Sequence, residues 1–160
     1  MQYDLFLTAF GRTPDFIDGH LHVHQLPGAR EGLLAFWDLL PTEAKPYVRN
    51  AYVPLGKILL QRVSVLKNLC ISIPGRQMRR LLKKRGIPTN CGFGGIHTGR
   101  HPERHARRLR RFINHMESPL GILMTHPGLR ERWRRMEYEA LRDTEWPEGL
   151  CHRFRLGTDE

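Results

Sequence analysis

Three histidines at alternate positions, His20, His22 and His24, form the most constraining feature of this sequence. Within residues 15–24, Asp18 and the histidines alternate with apolar residues and a glycine. A β-strand points successive side chains to opposite faces. The pattern therefore predicts a strand that carries Asp18 and the three histidines on one face. Side chains two positions apart on a strand are separated by about 6.5 Å, so all three imidazoles need not bind one ion.

Neutral histidine is the commonest protein ligand of transition metals, and its second ring nitrogen needs an orienting partner. Asp18 is a candidate for that partner or for a further ligand. We expect one metal ligand here, with neighbours that hold substrate or water. The alternative is a polar, hydrogen-bonded strand end without a metal.

The rest of the chain alternates between helical and extended patterns, with no internal repeat and no domain boundary. Apolar spacing predicts helices near residues 5–10, 29–40, 54–70, 75–85, 102–115 and 130–142. Strands are predicted near 15–24, 47–49, 120–124 and 150–156, and the glycine-rich residues 89–96 fit either a strand with a turn or a ligand loop. Strands that alternate with helices favour an α/β fold with parallel strands.

Net charge is the unusual bulk property of this 160-residue chain, at +10 with a pI near 10.3. Such a charge attracts polyanions, and much of it lies in residues 76–85 and 100–111. No nucleic-acid recognition motif accompanies it, so a solvated arginine-rich helix face is the favoured interpretation.

Cysteine usage and hydropathy predict a reduced, cytoplasmic protein. Cys70, Cys91 and Cys151 are odd in number and widely spaced, which suits neither a disulfide framework nor a zinc site. There is no secretion signal at the first residues, and no apolar run reaches the length of about 18 residues that a transmembrane segment needs.

Two residues outside the histidine segment are further candidates for a site. His126 follows an apolar run, where α/β folds place functional groups, although a lone histidine is more often structural. Arg49 follows a short apolar strand and is either a contact for a carboxylate, phosphate or sugar oxygen, or an ordinary surface arginine. The remaining histidines of the basic segments are predicted to lie at the surface: His97, His101, His105 and His115.

Residues 10–28, FGRTPDFIDGHLHVHQLPG, resemble the "FGRxPDxxDgHxHxHxxP" segment of the YdjC-like (ChbG and HpnK) carbohydrate deacetylases. Further matches follow in the family's order: Arg49 at a strand end, Thr89 to Gly95 with "TNxGFxG", Leu123 to Gly128 with "LVMCHPG", and Arg135 to Leu141 with "RxxEYxxL". The wording is closest to the HpnK hopanoid-biosynthesis branch, and the resemblance covers the carboxyl-terminal portion of that family's pattern.

This resemblance implies a deformed (β/α) barrel of the polysaccharide-deacetylase-like kind that holds magnesium or zinc. The implied reaction is removal of an N-acetyl group from an amino sugar or glycolipid. The family's pattern makes His20 a metal ligand and gives catalytic roles to His126 and Asp18. It assigns His22, His24 and Arg49 to substrate binding.

The chain also departs from the family's pattern. It lacks the "ADDFG" strand and the "GxHxxL" segment, and Ile96-His97-Thr98 replaces the Tyr-Asp-Phe that follows the glycine turn. We therefore expect a single incomplete domain over residues 1–160, with the amino-terminal strands missing, weak metal binding and no independent turnover. Expected partners are the sugar or glycolipid substrate and either the missing amino-terminal segment or a second copy of the chain. A basic nucleic-acid-binding module is the less favoured alternative, and an inactive structural remnant is a third.

Overall fold

The computed structural model describes residues 2–99, 101–115 and 121–144. Within these residues, four short strands alternate with helices. The elements are α1 (Gln2–Phe10), β1 (Phe16–Ile17), α2 (Ala29–Leu39), β2 (Tyr47–Val48), α3 (Leu55–Gln61), α4 (Val65–Lys84), β3 (Gly92–Gly94), α5 (His105–Asn114), β4 (Gly121–Leu123) and α6 (Arg132–Arg142), with short 3-10 helices at His20–Gln25, Thr42–Ala44 and Pro102–Arg104.

The four strands are parallel within their pairs and follow the chain order. β1 pairs with β2 in the register Phe16 to Tyr47, and β3 pairs with β4 in the register Gly92 to Gly121. A backbone hydrogen bond of 2.9 Å from Val48 N to Pro88 O joins β2 to the segment that leads into β3. This arrangement confirms the predicted mixture of helices and parallel strands.

The predicted break between the helices at residues 54–70 and 75–85 is in the wrong place. Sequence patterns predict a break near Pro74, whereas α4 runs through Pro74 and the break falls at Arg62 and Ser64, whose φ angles are +51° and +44°. The Asn68 side-chain amide donates to the carbonyl oxygen of Val63 at this break, and it also donates to Ser64 O, which accepts the first helical hydrogen bond of α4 from Asn68 N. Proline removes only one helical hydrogen bond, and the buried face of α4 offsets that loss.

Two apolar clusters cover the strands. One contains Leu34, Trp37, Val48, Met78, Leu82 and Ile87, and the other contains Ala51, Val53, Ile58, Phe93 and Ile96. The first joins α2 and α4 to β2, and the second joins α3 to β3. Burial of these side chains fixes the strands, so the residues just past the strand ends have defined positions.

The chain divides into two compact units. The first comprises residues 1–98 and 111–124 and contains all four strands, and the second comprises residues 99–110 and 125–160. In the second unit, α6 packs against the 3-10 helix at Pro102–Arg104. The prediction of one domain over the whole chain stays a prediction, and the strand predicted at residues 150–156 lies outside the described residues.

Among the helices of the described ranges, none combines the length and the apolar character needed to cross a bilayer. Cys70 and Cys91 are free thiols, whereas Cys151 lies outside the described part of the chain.

Candidate functional site

The best-defined polar cluster of the first unit lies where two parallel strands end. Asp18 follows the last residue of β1, and Arg49 follows the last residue of β2. Because the strands are parallel and paired, their carboxyl ends lie at one edge, which is where open α/β sheets place ligands. The two side chains meet there as an ion pair.

Arg49 is the centre of this cluster. It is 6% exposed, so the interpretation of an ordinary surface arginine is wrong. Its Nη2 donates to Asp18 Oδ1, its Nη1 lies 2.9 Å from His22 Nδ1, and its guanidinium carbon lies 5.1 Å from the centre of the Phe93 ring. A planar guanidinium can serve a carboxylate, an imidazole and an aromatic face at once, which a lysine cannot do.

The predicted strand over residues 15–24 is wrong beyond Ile17. Residues His20–Gln25 form a 3-10 helix in which Leu21 and His22 have positive φ angles of +52° and +64°. The chain therefore curls, and His22 and His24 turn inward and are buried while His20 is exposed. The three histidines do not share one strand face.

Gly19 makes this curl possible. A Cβ atom at position 19 would lie 2.6 Å from His24 Nδ1 and 2.8 Å from the His24 Cβ. Real Cβ contacts are essentially never that short. The sequence Asp18-Gly19-His20 therefore needs a glycine because the backbone passes directly over the His24 ring.

Hydrogen bonds fix the protonation of both buried imidazoles. An arginine only donates, so His22 Nδ1 accepts and the neutral ring carries its proton on Nε2. A carbonyl only accepts, so His24 Nε2 donates to Arg49 O at 2.8 Å, and the lone pair lies on Nδ1.

Both buried imidazoles are held neutral. Burial, with a smaller contribution from the Arg49 cation, lowers the pKa of His22 from 6.5 to about 4. Burial also lowers the pKa of His24.

Only ligand atoms that are not already engaged in hydrogen bonds within the protein are available to hold a metal ion. His22 Nδ1 is taken by Arg49 and His24 Nε2 by a carbonyl. The exposed His20 imidazole and the half-exposed Asp18 carboxylate are the remaining solvent-accessible donors of the segment, and both are groups that divalent cations accept. His24 Nδ1 is buried, makes no hydrogen bond to the described residues, and lies 3.8 Å from Asp18 Oδ1.

A buried amide network supports the site, and the sequence patterns did not indicate it. Asn50 N donates to Asn90 Oδ1 at 2.7 Å, and Asn90 Nδ2 donates back to Asn50 O at 2.7 Å. Gln25 Oε1 accepts from Ala51 N at 2.7 Å. These bonds tie the two residues after Arg49 to the histidine segment and to the segment that leads into β3. The only sequence signal was the Thr89-Asn90 pair of the glycine-rich segment.

Tyr47, the first residue of β2, joins the same network. Its hydroxyl donates to Asn90 Oδ1 at 3.2 Å, and burial raises the pKa of Tyr47 to about 12. The phenol therefore stays protonated at neutral pH.

His126 lies in the second unit and is exposed. Its ring centre lies 6.2 Å from that of Trp133, and a His126 ring nitrogen lies within 4.8 Å of a carboxylate oxygen of the buried Glu137. The predicted strand that precedes His126 is confirmed as β4.

The surface prediction for the other histidines holds only in part. His101 is exposed as predicted, and His115 is half-buried. His97 and His105 are buried, so the surface prediction is wrong for both. For His105 the reason is that a basic helix still buries one face, whereas His97 lies in the buried segment that follows β3.

The family profile described as YdjC-like protein matches residues 1–151. The chain therefore belongs to the YdjC-like family, which comprises carbohydrate deacetylase-like proteins. No curated protein and no solved structure gives a significant match. The family match confirms the resemblance to the YdjC-like family, and the closer likeness to the HpnK branch and the match to the carboxyl-terminal portion of the pattern stay predictions.

Proposed function

We propose that the Arg49 cluster forms part of a metal-dependent hydrolase site that removes N-acetyl groups from an amino sugar or a glycolipid, within the HpnK-like branch of the family. One observation carries this proposal: Asp18, His22 and Arg49 converge at the carboxyl ends of two paired parallel strands. In a chain of a deacetylase-like family, that edge is the expected place for the reaction. A partial (β/α) barrel, whose strands follow one another in chain order, is the architecture that we propose for it.

His20 and Asp18 are the residues that would hold the divalent ion. An imidazole favours zinc, whereas a carboxylate serves both zinc and magnesium. When bound, such an ion polarises the amide carbonyl and lowers the pKa of water, so that water can attack near neutral pH.

The remaining residues bind and orient the substrate. Arg49 holds the Asp18 carboxylate and turns the His22 ring so that its Nε2–H is a donor, and we assign that donor to a substrate oxygen. The buried His24 holds the backbone of Arg49 in place through its hydrogen bond to Arg49 O. This support replaces the direct substrate contact expected for His24.

His126 is the residue that we assign to proton transfer. Water adds to the amide carbon, the C–N bond breaks, and the products are acetate and the free amine. The leaving amine needs a proton, and an exposed imidazole beside the Glu137 carboxylate is suited to donate it.

Metal binding provides the first test. We expect the full chain to bind zinc weakly in a calorimetric titration, and His20→Ala to weaken that binding by more than about tenfold. His101→Ala removes another exposed histidine and is the matched control, with binding unchanged. Zinc binding that is insensitive to His20→Ala would contradict the ligand assignment.

Sugar binding and turnover provide the second test. We expect an oligomer of N-acetylglucosamine to bind more tightly with zinc than without it, and Arg49→Lys to weaken that binding. Catalytic zinc sites usually take three protein ligands, and the described residues of this site offer two. The chain alone is therefore expected to release no acetate. Tight, stoichiometric zinc with acetate release would show that the two-donor assignment is wrong, and failure to bind any N-acetylated sugar would refute the proposed function.

A further inference from the structure

Two consecutive helices of the first unit, α3 and α4, expose large apolar side chains. Five of them are between 53% and 75% exposed: Leu55, Leu59, Leu60, Leu66 and Ile73. Isolated apolar residues on a surface are normal, but several on two helices that contact each other mark an interaction surface. We call these five residues the apolar patch.

The exposed face of α4 changes character along its length. Leu66, Cys70 and Ile73 have the spacing i, i+4 and i+7, which places them on one helix face. Arg80 and Lys84 continue that face with the spacings i+7 and i+11 from Ile73. All five are exposed, so the outer face is apolar in its first half and cationic in its second half.

The charge of this part of the chain has a single sign. Residues 44–102 contain 12 lysines and arginines and no aspartate or glutamate. Some of these cations are engaged, as Arg49 is with Asp18 and Arg85 is with Asp38. Arg76, Arg80, Lys83 and Lys84 are exposed and have no acidic partner among the described residues.

We propose that the outer face of α3 and α4 binds the surface of an anionic lipid bilayer. Leucines that enter the acyl boundary, beside cations that meet lipid headgroups, are the combination that holds an amphipathic helix in a membrane interface. The phosphates of a nucleic acid would bind the cations, but they would gain nothing from contact with the exposed leucines. A second copy of the chain would bring like charges together. This inference is independent of the proposed deacetylase reaction.

Vesicle flotation of the full chain tests the proposal. We expect binding to phosphatidylcholine vesicles that contain phosphatidylserine, and none to pure phosphatidylcholine. Because each cation near an anionic surface contributes about a fivefold gain in affinity, replacing Arg76, Arg80 and Lys84 with glutamine should weaken binding by about a hundredfold. Binding should also weaken between about 0.1 M and about 1 M salt, as the Debye length falls from about 10 Å to about 3 Å.

The leucines separate a membrane from a generic polyanion. We expect Leu66→Ser with Ile73→Ser to weaken vesicle binding by more than about tenfold, since each buried CH₂ contributes about fourfold in affinity. Leu39→Ser removes an even more exposed leucine on α2, at 83%, and is the matched control, with binding unchanged. If the Leu66 and Ile73 variant binds vesicles as wild type does, or if a short DNA duplex binds more tightly than the vesicles, the proposal is refuted in favour of simple polyanion attraction.

Cys70 offers a direct readout of insertion. An environment-sensitive dye on Cys70, with the other two cysteines replaced by serine, should shift to the blue on anionic vesicles. The same dye on Ala35→Cys, an exposed position of α2, should not shift once Cys70 is also replaced by serine. Equal shifts, or no shift at Cys70 while the protein is bound, would overturn the assignment of this face.

Discussion

Replacement of Arg49 tests whether a guanidinium organises the site. The Arg49 side chain makes one charge-assisted hydrogen bond to Asp18, one to His22 and one contact with the Phe93 ring. A hydrogen bond to a charged group contributes about 1.5–3 kcal/mol. The contribution of the Arg49–Asp18 hydrogen bond to stability must be discounted, because that carboxylate is 42% exposed and water can replace the arginine. The contribution of the Arg49–His22 hydrogen bond is counted in full, because His22 is 9% exposed.

These terms predict that Arg49→Met lowers the free energy of unfolding by about 3 kcal/mol and Arg49→Lys by about 2 kcal/mol. Lysine keeps the charge near Asp18 but cannot also reach His22 in the fork geometry. With an m-value of about 2 kcal/mol/M, the urea midpoint should fall by about 1.5 M for methionine. Arg85→Met breaks an exposed pair with Asp38 and is the matched control, with a loss below about 1 kcal/mol.

The His22 ring supplies a second readout that general destabilisation would not produce. Nitrogen NMR of the folded wild-type chain should show Nδ1 without a proton and Nε2 with one. In Arg49→Met both neutral forms should be present. If the wild type already shows a mixture, or if Arg49→Met and Arg85→Met shift the urea midpoint equally, the arginine does not organise the site.

Three further results are expected. The pKa of His22 is lowered to about 4 in the folded chain, so the unfolded chain takes up the proton first; the free energy of unfolding should therefore fall as pH drops from about 6.5 to about 4, by up to about 3 kcal/mol, in urea titrations across that range. Gly95→Ala should destabilise by more than about 3 kcal/mol or abolish folding, because φ is +97° and a Cβ would lie 1.9 Å from Met124 O. Asn90→Ala should cost about 3 kcal/mol by thermal or urea unfolding, because the Asn50 amide and carbonyl lose their buried partner.

Each of these results has a matched control. His20→Phe replaces an exposed histidine and should leave the loss of stability below about pH 6.5 unchanged. His22→Phe should make that loss clearly smaller, and the remainder comes from the buried His24, whose pKa is also lowered. Gly32→Ala lies in α2 with nothing within 4 Å of the new Cβ, and it should stabilise by up to about 1 kcal/mol. Asn114→Ala is exposed and should have almost no effect. An equal loss of stability with falling pH in His22→Phe and in the wild type would contradict the reasoning. So would equal effects of Gly95→Ala and Gly32→Ala, or of Asn90→Ala and Asn114→Ala.

Apolar periodicity was sufficient to predict most of the fold. Helix α2 begins at the predicted Ala29 and ends one residue short of the predicted end, and β2 and β4 lie within the runs that predicted them. Such patterns succeed because burial of one face dictates the spacing. The rule that parallel strands share an edge also explains why Asp18 and Arg49, 31 positions apart, meet.

The histidine segment could not be predicted in the same way. In the curled segment His22 and His24 are buried whereas Leu21 and Val23 are exposed, so this segment also alternates and the period of two does not distinguish it from a strand. What decides the outcome is the left-handed backbone at Leu21 and His22, and this conformation is held by tertiary contacts. Leucine does not favour it locally, and histidine adopts it more often than most residues but still uncommonly. The buried His105 shows the same limit, because its arginine-rich neighbours in α5 hide which helix face packs inward.

The structure changes which group defines the chemistry at the end of β1. The sequence pattern presents three equivalent imidazoles, but the hydrogen bonds give each ring a separate task. His24 supports the Arg49 backbone, and His22 is fixed as a donor. His20 alone keeps a solvent-exposed ring. A metal here would therefore sit beside a buried guanidinium rather than within a cage of histidines. That cation offsets the attraction of Asp18 for a divalent ion, which is a physical reason to expect weak metal binding from these residues.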